Sequence, residues 1–341
     1  MKVKNCLMYT KGYQVNIMEI KEIKDLNGKT EYNELAKNYG NIFNTVDWLN
    51  LFGDKVKLFG IYEGNKSLIG GFSLYEERRF GLKIYRNPPY TPCIGPFLRI
   101  SAKNPVEIMS KQKKCISFMA DTIDKLPYSI ITASLNKDII DTQPFTWKKF
   151  KVMPCFTYVL DLDKPIEEIW KNMSAERRNN INKGIKDGLQ VKQIQGYDIV
   201  KSLVLKTFLR QGKENKVHKY YLNKILFEFA NNTNSFAYAT FKDGVPIATS
   251  FYVYDRNFAY YLLGGYDYEK KHHSAGTLSI WESIKHTQNL GLKYFDFEGS
   301  IVPQIEAYFR GFNGKLTPYY RINKAKLPLE ILLKFIKREM F

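Results

Sequence analysis

The chain has 341 residues, of which 44% are hydrophobic, 15% aromatic and 25% charged. This length usually exceeds what one hydrophobic core organises, and the aromatic content excludes a disordered chain. No stretch approaches the roughly 18 consecutive apolar residues of a membrane span, and the opening segment MKVKNCLMYTKGYQVN lacks the apolar core of a signal peptide. We therefore expect a globular protein of two domains that stays inside the cell.

The formal net charge is +18, from 52 Lys and Arg against 34 Asp and Glu. Such an excess favours a polyanionic partner, for example tRNA, a nucleotide-linked sugar or an anionic membrane surface. Most of the basic residues are lysines, and Asn, Ile and Tyr are abundant, a bias that AT-rich coding also produces. Charge alone leaves both explanations open.

The four cysteines, Cys6, Cys93, Cys115 and Cys155, are far apart and form no CxxC pair. This spacing argues against a zinc knuckle and against a disulfide scaffold. We expect reduced, mostly buried thiols and no metal site.

The second half of the chain has the predicted order β-β-β-α-β. Alternating apolar residues predict strands, an Asp-Gly pair predicts a hairpin turn, and apolar residues at helical spacing before a glycine predict a helix. The predicted strands are 235–241, 247–254, 258–263 and 293–297, the turn is at Asp243-Gly244, and the helix is 277–290.

The first half repeats this order, although residue identity between the halves is faint. We therefore predict an α/β protein in which two mixed-sheet domains share one architecture. The strands of the first half are predicted at 57–62, 67–75, 82–85 and 128–133, with a turn at 63–65 and a helix within 105–126.

Segments between and after the two repeats are also predicted. A strand is expected at 157–163, and helices are expected after the N-cap Ser174, at 198–211 and at 220–231. The tail, 327–341, is predicted as an amphipathic basic helix. Such a helix either packs on the protein or attaches it to a membrane surface.

Two carboxylates follow one another closely at the end of the strand near 293–297. Asp296 and Glu298 are two residues apart, so their side chains point to one face of the strand. A carboxylate near the carboxyl end of a sheet is suited to accept the proton of an attacking amine. The alternative is that one of them caps the next helix or pairs with Arg310.

The run FDFEGSIVPQIEAYFRGFNGKLTPYYRI resembles the FemAB family of peptidyl and aminoacyl transferases and their GNAT-like relatives, as do SAERRNNINKGIKDGLQV and NIFNTVDWLNLFG. The resemblance covers nearly the whole chain and is most specific at 296–312. It implies tandem acetyltransferase-like (GNAT-like) domains, the first at 1–153 completed by 316–341, and the second at 154–315. It also implies a cleft in which an aminoacyl group passes from aminoacyl-tRNA to an amine of a cell-wall precursor.

Acetyltransferases of this fold that use coenzyme A have a Q/R-x-x-G-x-G/A turn, which presents helix N-terminal N–H groups to the pyrophosphate. The corresponding loop here, 273–278, keeps only Gly276, which weakens coenzyme A as the donor. His272 and His273 lie just before it, where an imidazole either binds phosphate, acts as a base or is only solvent-exposed.

Two further segments are candidates for binding. Arg177, Arg178, Lys183 and Lys186 make a basic helix that resembles the arginine-bearing helix of the family, so it either contacts phosphate or is a solvated face. The proline-rich loop 86–96 either lines an acceptor pocket with Tyr85 and Tyr90 or connects strands rigidly.

We therefore predict an acyl- or aminoacyltransferase acting on an amine of an envelope precursor or another amino-bearing metabolite. Motifs of hydrolases, zinc proteases, kinases and dehydrogenases are absent from the sequence. The alternative is a non-catalytic basic module that binds RNA or a membrane surface. We expect Glu298 or Asp296 to accept the proton. Tyr266, or the backbone near Gly264 and Gly265, is expected to bind the oxyanion. The residues expected to bind phosphate groups of the donor or acceptor are His273, Gly276, Arg177, Arg178 and Arg310.

Overall fold

Strands from both halves of the chain form one continuous mixed sheet in the computed structural model, which describes residues 18–64, 67–212, 216–299 and 302–341. The order across the sheet is β1-β2-β3-β4-β6-β13-β7-β12-β11-β10-β9-β8, and the short β5 pairs with β3. The strands are β1 (Met18–Ile23), β2 (Val56–Glu63), β3 (Ser67–Arg79), β4 (Leu82–Arg86), β5 (Phe97–Leu98), β6 (Ile130–Ser134), β7 (Lys151–Asp161), β8 (Gln190–Gln193), β9 (Ser235–Lys242), β10 (Val245–Tyr254), β11 (Phe258–Tyr266), β12 (Tyr294–Asp296) and β13 (Lys315–Ala325).

Helices connect and cover these strands. Short 3₁₀ segments at Ile42–Asn44 and Asn50–Lys55 and a π-turn at Ile225–Phe229 complete the described elements. The helices are α1 (Leu26–Tyr39), α2 (Val46–Leu49), α3 (Pro105–Asp124), α4 (Gln143–Trp147), α5 (Ile166–Asn172), α6 (Ala175–Lys186), α7 (Asp198–Arg210), α8 (Lys216–Lys224), α9 (Ala275–Asn289), α10 (Pro303–Arg310) and α11 (Leu329–Ile336).

The two halves exchange their last strands. β7 follows the first half in sequence but pairs antiparallel with β12 of the second half, whereas β13 follows the second half and pairs antiparallel with β6 of the first. β7 and β13 then pair with each other, which joins the two sheets at their centre. The exchange agrees with the predicted division at residues 153 and 315, which stays our prediction.

The repeated β-β-β-α-β order predicted for each half is present. In the second half, Asp243 and Gly244 both have positive φ, 51° and 75°, as a two-residue hairpin turn requires. β11 then pairs in parallel with β12 after the crossover helix α9, as β4 pairs with β6 after α3. Such a crossover favours parallel pairing, so the α/β prediction is confirmed.

Some predicted elements differ in their bounds, and others were not predicted. The strand expected at 157–163 is β7, which begins six residues earlier, and the helix expected at 220–231 begins at Lys216 and ends in a π-turn. β1, α1 and β13 were not predicted. The two strands do not alternate cleanly between buried and exposed residues, and α1 is a mostly polar helix with three buried residues. Residue 65 of the predicted turn lies outside the described residues.

An apolar core lies between the two halves, in addition to a core within each half. Trp48 contacts Phe229 edge-on at 4.9 Å between ring centroids, and Phe43 contacts Tyr260 at 5.0 Å. Aromatic pairs at these distances add to the free energy of apolar burial. The shared core fixes the position of one half against the other and therefore the shape of the groove between them.

Three of the cysteines, Cys93, Cys115 and Cys155, are buried free thiols, whereas Cys6 lies outside the described residues. Among the helices of the described ranges, none is long and apolar enough to cross a membrane.

Candidate functional site

The loop that follows β6 and the end of β12 meet where the two halves join. Asp296, the last residue of β12, is buried, and its Oδ2 lies 2.5 Å from the Nζ of Lys137. Its Oδ1 accepts hydrogen bonds from the Thr157 hydroxyl at 2.6 Å and from the Glu298 backbone N–H at 2.9 Å. Both carboxylate oxygens of Asp296 are thus occupied by donors from the protein.

Lys137 is held in place by aromatic rings as well as by Asp296. Its Nζ lies 3.9 Å from the ring centroid of Phe258 and 5.3 Å from that of Tyr260. Burial opposes its charge most strongly, but Asp296 together with the other nearby acidic groups, Glu298 among them, raises the pKa of Lys137 overall. Lys137 therefore stays protonated, and the pair forms a fixed ionic link between the halves.

Glu298 lies just beyond β12, in a backbone conformation with φ 57° that turns it out of the strand. Burial, and secondly the charge of Asp296, raise the pKa of Glu298 well above 4.5, against the lowering effect of Lys137. A carboxyl group with a raised pKa is a stronger base once it is ionised. Of the two predicted carboxylates, Glu298 is the one suited to move a proton.

Glu298 lies between a small buried cavity and a large open one. The buried cavity, about 40 Å³, is lined by Lys137, Thr157 and Asp296. The open cavity measures about 730 Å³. Glu298, Pro92 and Tyr319 line both, so the carboxyl group of Glu298 forms part of the floor of the open cavity.

The open cavity, which we call the basic cavity, is rich in arginine. Arg86 and Arg79 both donate to Glu77, each at 2.7 Å, and Arg321 donates to the Ser134 hydroxyl at 3.2 Å. The three guanidinium groups outnumber the nearby carboxyl groups, Glu77, which two of them share, and Glu298, so the cavity favours an anionic ligand. The remaining lining residues are Asn87, Pro88, Pro89, Tyr90, Thr91, Pro92, Thr132, Val217, His218, Leu262, Glu298 and Tyr319.

A cavity of about 950 Å³ lies on another part of the junction. It is larger, but its charged lining is mixed in sign, with Asp47, Glu228 and Asp255 beside Lys37 and Arg256. It contains neither Glu298 nor Asp296. The residues that line the two cavities therefore favour the basic cavity, and not the larger one, as the candidate site.

The start of α9 is where a GNAT fold places the coenzyme A pyrophosphate, and here side chains cover it. The Tyr308 hydroxyl lies 3.2 Å from Thr277 Oγ1, and a Cβ built on Gly276 would lie 3.5 Å from that hydroxyl. The guanidinium of Arg177 stacks on the Tyr308 ring at 4.5 Å. These residues therefore do not form an open pyrophosphate cradle.

Arg177 and Ser274 each keep one buried polar atom, Nε and Oγ, without a hydrogen-bond partner. Arg177 is 6% exposed, and its terminal nitrogen donates to Glu176 at 2.5 Å. Buried unpaired polar atoms are uncommon in proteins, so these two are exceptions near the start of α9.

Other residues predicted to bind phosphate lie elsewhere and have structural partners. Arg178 donates to the backbone carbonyls of Lys171 and Met173, Arg310 forms an exposed pair with Glu306 at 2.9 Å, and His273 is exposed and stacks on His272. Arg310 therefore pairs with Glu306 and not with Asp296 or Glu298.

The predicted oxyanion residues are distant from the carboxylates. Tyr260 pairs with Asp296, and Tyr266 is six residues further along β11, which corresponds to about 20 Å of extended strand. Gly265 packs on α7, where an added Cβ would come within 2.7 Å of Leu203. Tyr266, Gly264 and Gly265 are not among the residues that line the cavity beside Glu298, although Leu262 of the same strand is.

The two tyrosines predicted for the acceptor pocket lie in different parts of the first half. Tyr90 lines the basic cavity and donates to the His218 carbonyl at 3.2 Å. Tyr85 is buried in the core of the first half, where its hydroxyl donates to Glu76 at 2.9 Å. Successive strand residues face opposite sides, so Arg86 takes the cavity position that was expected for Tyr85.

The register shows that only the second half carries the acidic pair. Asp296 pairs with Val159 of the exchanged strand β7, and Ser134 pairs in the same way with Arg321 of β13. Ser134 is therefore the first-half counterpart of Asp296, and Asn136 that of Glu298. Among the described residues, the acidic pair is therefore present at the end of β12 and absent at the end of β6.

Lys137, Thr157, Tyr319 and Arg321 are site residues that the sequence did not indicate. Lys137 lies in the loop after β6, Thr157 on β7, and Tyr319 and Arg321 on β13, so they come near Asp296 and Glu298 through the strand exchange. The isolated polar residues had no local pattern that marked them.

Comparisons with known proteins agree with this architecture. Residues 175–310 match the family model described as acetyltransferase (GNAT) domain. No curated protein matches the sequence significantly. The fold resembles the solved structure of FemX with a TM-score of 0.65 at 11% identity, covering 93% of this chain and 99% of FemX.

Two further solved structures share the fold. L-PGS from Bacillus licheniformis matches with a TM-score of 0.54 at 12% identity, covering 93% of this chain and 97% of L-PGS. A tandem GNAT protein from the clavulanic acid biosynthesis pathway matches with a TM-score of 0.53 at 11% identity, covering 90% and 98% respectively. Residues 175–310 therefore match a GNAT domain, and the chain as a whole has a fold similar to that of a tandem GNAT protein. Its fold is that of the FemAB-like GNAT relatives, as the sequence predicted.

Proposed function

We propose that the protein transfers an aminoacyl or acyl group to the amine of an anionic acceptor held in the basic cavity, with Glu298 as the proton acceptor. The observation that carries the proposal is the position of Glu298, a carboxyl group of raised pKa at the floor of a cavity lined by three arginines. Acyl transfer to an amine needs these two parts, a base and a binding site for the amine.

The reaction requires little from the protein beyond positioning and one proton transfer. The acceptor nitrogen attacks the carbonyl carbon of the donor ester, and the new C–N bond forms as the nitrogen gives its proton to the Glu298 carboxylate. The bond from the carbonyl carbon to the carrier oxygen then breaks, and the carrier leaves with that proton. Glu298 returns to its ionised state.

Tyr319 is the group best placed to stabilise the oxyanion of this reaction. It lines both cavities beside Glu298, and burial, and secondly nearby acidic groups, raise the pKa of its hydroxyl. The hydroxyl therefore stays protonated and can donate to a developing negative charge. Tyr319 takes the role that the sequence analysis gave to Tyr266.

The arginines support an acceptor that carries phosphate or carboxylate groups. Arg321 lies on β13 and Arg86 on β4, on either side of β6, so a ligand between them would meet guanidinium groups from two strands. Bidentate pairing with phosphate or carboxylate is what this geometry provides. An envelope precursor with an amine and a phosphate has this chemistry.

The covered start of α9 favours aminoacyl-tRNA over acyl-coenzyme A as the donor. The loop at 273–278 lacks two of the three residues of the pyrophosphate turn, and Tyr308 and Arg177 lie in front of the helix. The net charge of +18 suits a polyanionic donor.

Mass spectrometry of the purified protein incubated with a panel of amine acceptors tests the proposal. One reaction contains charged tRNA, the other a mixture of acyl-coenzyme A thioesters. We expect an acceptor that gains the mass of an aminoacyl residue only with charged tRNA. Transfer only from coenzyme A thioesters would contradict the donor assignment, and no adduct from either pool would contradict transfer to these amines.

A further inference from the structure

One end of the first-half sheet carries exposed apolar side chains from two separate segments. Phe80, at the tip of the β3–β4 hairpin, is fully exposed, and α11 has no buried residue. Five apolar side chains of α11 and its preceding loop are between 52% and 84% exposed. We call this surface the apolar edge, and it comprises Phe80, Leu327, Ile331, Leu332, Phe335 and Ile336.

Backbone hydrogen bonds bring the two segments together. The Ser129 N–H donates to the Lys83 carbonyl at 2.8 Å, and the Lys326 N–H donates to the Ser129 carbonyl at 3.0 Å. Phe80 is three residues before Lys83, and Leu327 follows Lys326. The hairpin tip and the start of α11 therefore leave the same end of the sheet.

The position of α11 is also fixed at its far end. The Nζ of Lys151, at the start of β7, donates to the carbonyls of Arg338 at 2.7 Å and Phe341 at 2.9 Å. Trp147, which is 62% exposed, lies four residues before Lys151. A tryptophan near such an apolar surface is typical of the membrane–water interface.

Basic residues surround the apolar edge. Lys326, Lys334, Lys337 and Arg338 accompany α11, against Glu330 and Glu339. Glu330 pairs with Lys334 at 3.0 Å, which neutralises part of the acidic charge. An apolar helix face bordered by Lys and Arg is the pattern of a helix that lies in the interface of an anionic bilayer.

We propose that the apolar edge inserts into the surface of an anionic phospholipid bilayer and places the enzyme at the membrane. The proposal does not depend on the transfer reaction. It rests on two observations: apolar side chains from two distant segments meet at one end of the sheet, and the charge around them is complementary to anionic lipid.

Vesicle co-sedimentation of the full chain tests it. Vesicles of phosphatidylcholine with phosphatidylglycerol are compared with vesicles of phosphatidylcholine alone. We expect sedimentation with the anionic vesicles that weakens as salt is raised. The double variant Leu332→Asp/Phe335→Asp should reduce the bound fraction at least about tenfold, since two inserted side chains are lost.

Two single variants make the test specific. Phe80→Asp, far away in sequence, should also weaken binding if the edge acts as one surface. Leu209→Asp is the matched control, because Leu209 is a 66% exposed apolar residue on α7, outside the apolar edge. Far-ultraviolet circular dichroism and a thermal melt confirm that each variant is folded.

Three results would overturn the proposal. The first is a wild-type protein that does not sediment with anionic vesicles. The second is a folded double variant that binds as well as the wild type. The third is a molecular mass that doubles with concentration and returns to that of a monomer in the double variant, because the edge would then be a surface between two copies of the chain.

Discussion

The Nζ of Lys137 and the Oδ2 of Asp296 lie 2.5 Å apart, although Lys137 belongs to the first half of the chain and Asp296 to the second. The side chain of Asp296 is 3% exposed and that of Lys137 24%. The pair joins the halves at the floor of the site and holds Asp296 next to Glu298. Several properties of the protein should depend on it.

Removing either partner should destabilise the fold. Asp296→Ala leaves a largely buried ammonium group, and Lys137→Met leaves a buried carboxylate, so each should lower the free energy of unfolding by about 3 kcal/mol. The double variant should lose clearly less than the sum, which a double-mutant cycle by urea unfolding measures. Lys164→Met, which breaks the exposed pair with Glu168, is the control and should change little. Strictly additive losses would show that Lys137 and Asp296 do not interact.

The stability of the protein should depend on pH through Glu298. Burial and Asp296 raise the pKa of Glu298 above its ordinary value of 4.5, so folding favours the protonated form. Below pH 4.5 the wild type and Glu298→Gln should be equally stable. As pH rises from 4.5 through the raised folded-state pKa, the wild type should lose stability relative to the variant, by about 1.4 kcal/mol for each pKa unit of difference. Urea unfolding from pH 4 to pH 9 measures this, and a constant difference between the two proteins would contradict it.

Arg321→Gln should weaken acceptor binding more than it slows turnover. The guanidinium group is expected to bind the anionic part of the acceptor, away from the reacting amine, so KM for the acceptor should rise about 10- to 100-fold with kcat changed much less. Arg256→Gln, at an exposed arginine that lines the other large cavity, is the matched control. An unchanged KM in Arg321→Gln would exclude the basic cavity as the acceptor site.

Gly276→Ala should keep both folding and activity. An added Cβ would meet only the Tyr308 hydroxyl, at 3.5 Å, and alanine favours a helix by up to about 1 kcal/mol relative to glycine. The contrasting variant is Gly299→Ala, where φ is 65° and the Cβ would lie 2.1 Å from the Phe156 carbonyl oxygen, so it should fold poorly. A folded but inactive Gly276→Ala protein would instead indicate that a donor pyrophosphate contacts this helix.

Much of the fold was predictable because it is local. The Asp243-Gly244 turn needs two residues with positive φ, and Leu278, Trp281 and Ile284 repeat at helical spacing, so sequence pattern alone predicts the hairpin and α9. β13 was not predicted because its partners, β6 and β7, are distant in the chain and its polar and apolar residues do not alternate. The carboxylates were recognised, but their partners were not, since Lys137 is 159 residues away from Asp296 along the chain.

In the site, too, residue types could be predicted from the local sequence, but contacts between distant segments could not. Tyr85 and Arg86 are adjacent, and the sequence did not reveal which of them faces the cavity, because that depends on the register with β3 and β6. Glu298 was predictable as a residue type near a strand end. Its raised pKa arises from burial and from the charge of Asp296, and the small cavity that it lines is formed by segments distant in the chain, among them β13 with Tyr319.

The most direct test of the central claim is single-turnover transfer by Glu298→Gln, once a donor and an acceptor are known, with substrate binding measured on the same protein. Glutamine keeps the size of Glu298 but accepts no proton, so we predict a rate at least about 100-fold lower with acceptor affinity changed much less. The wild-type rate should also rise with pH through the raised pKa of Glu298, a dependence that the variant loses. A folded Glu298→Gln protein that transfers at the wild-type rate would contradict the account.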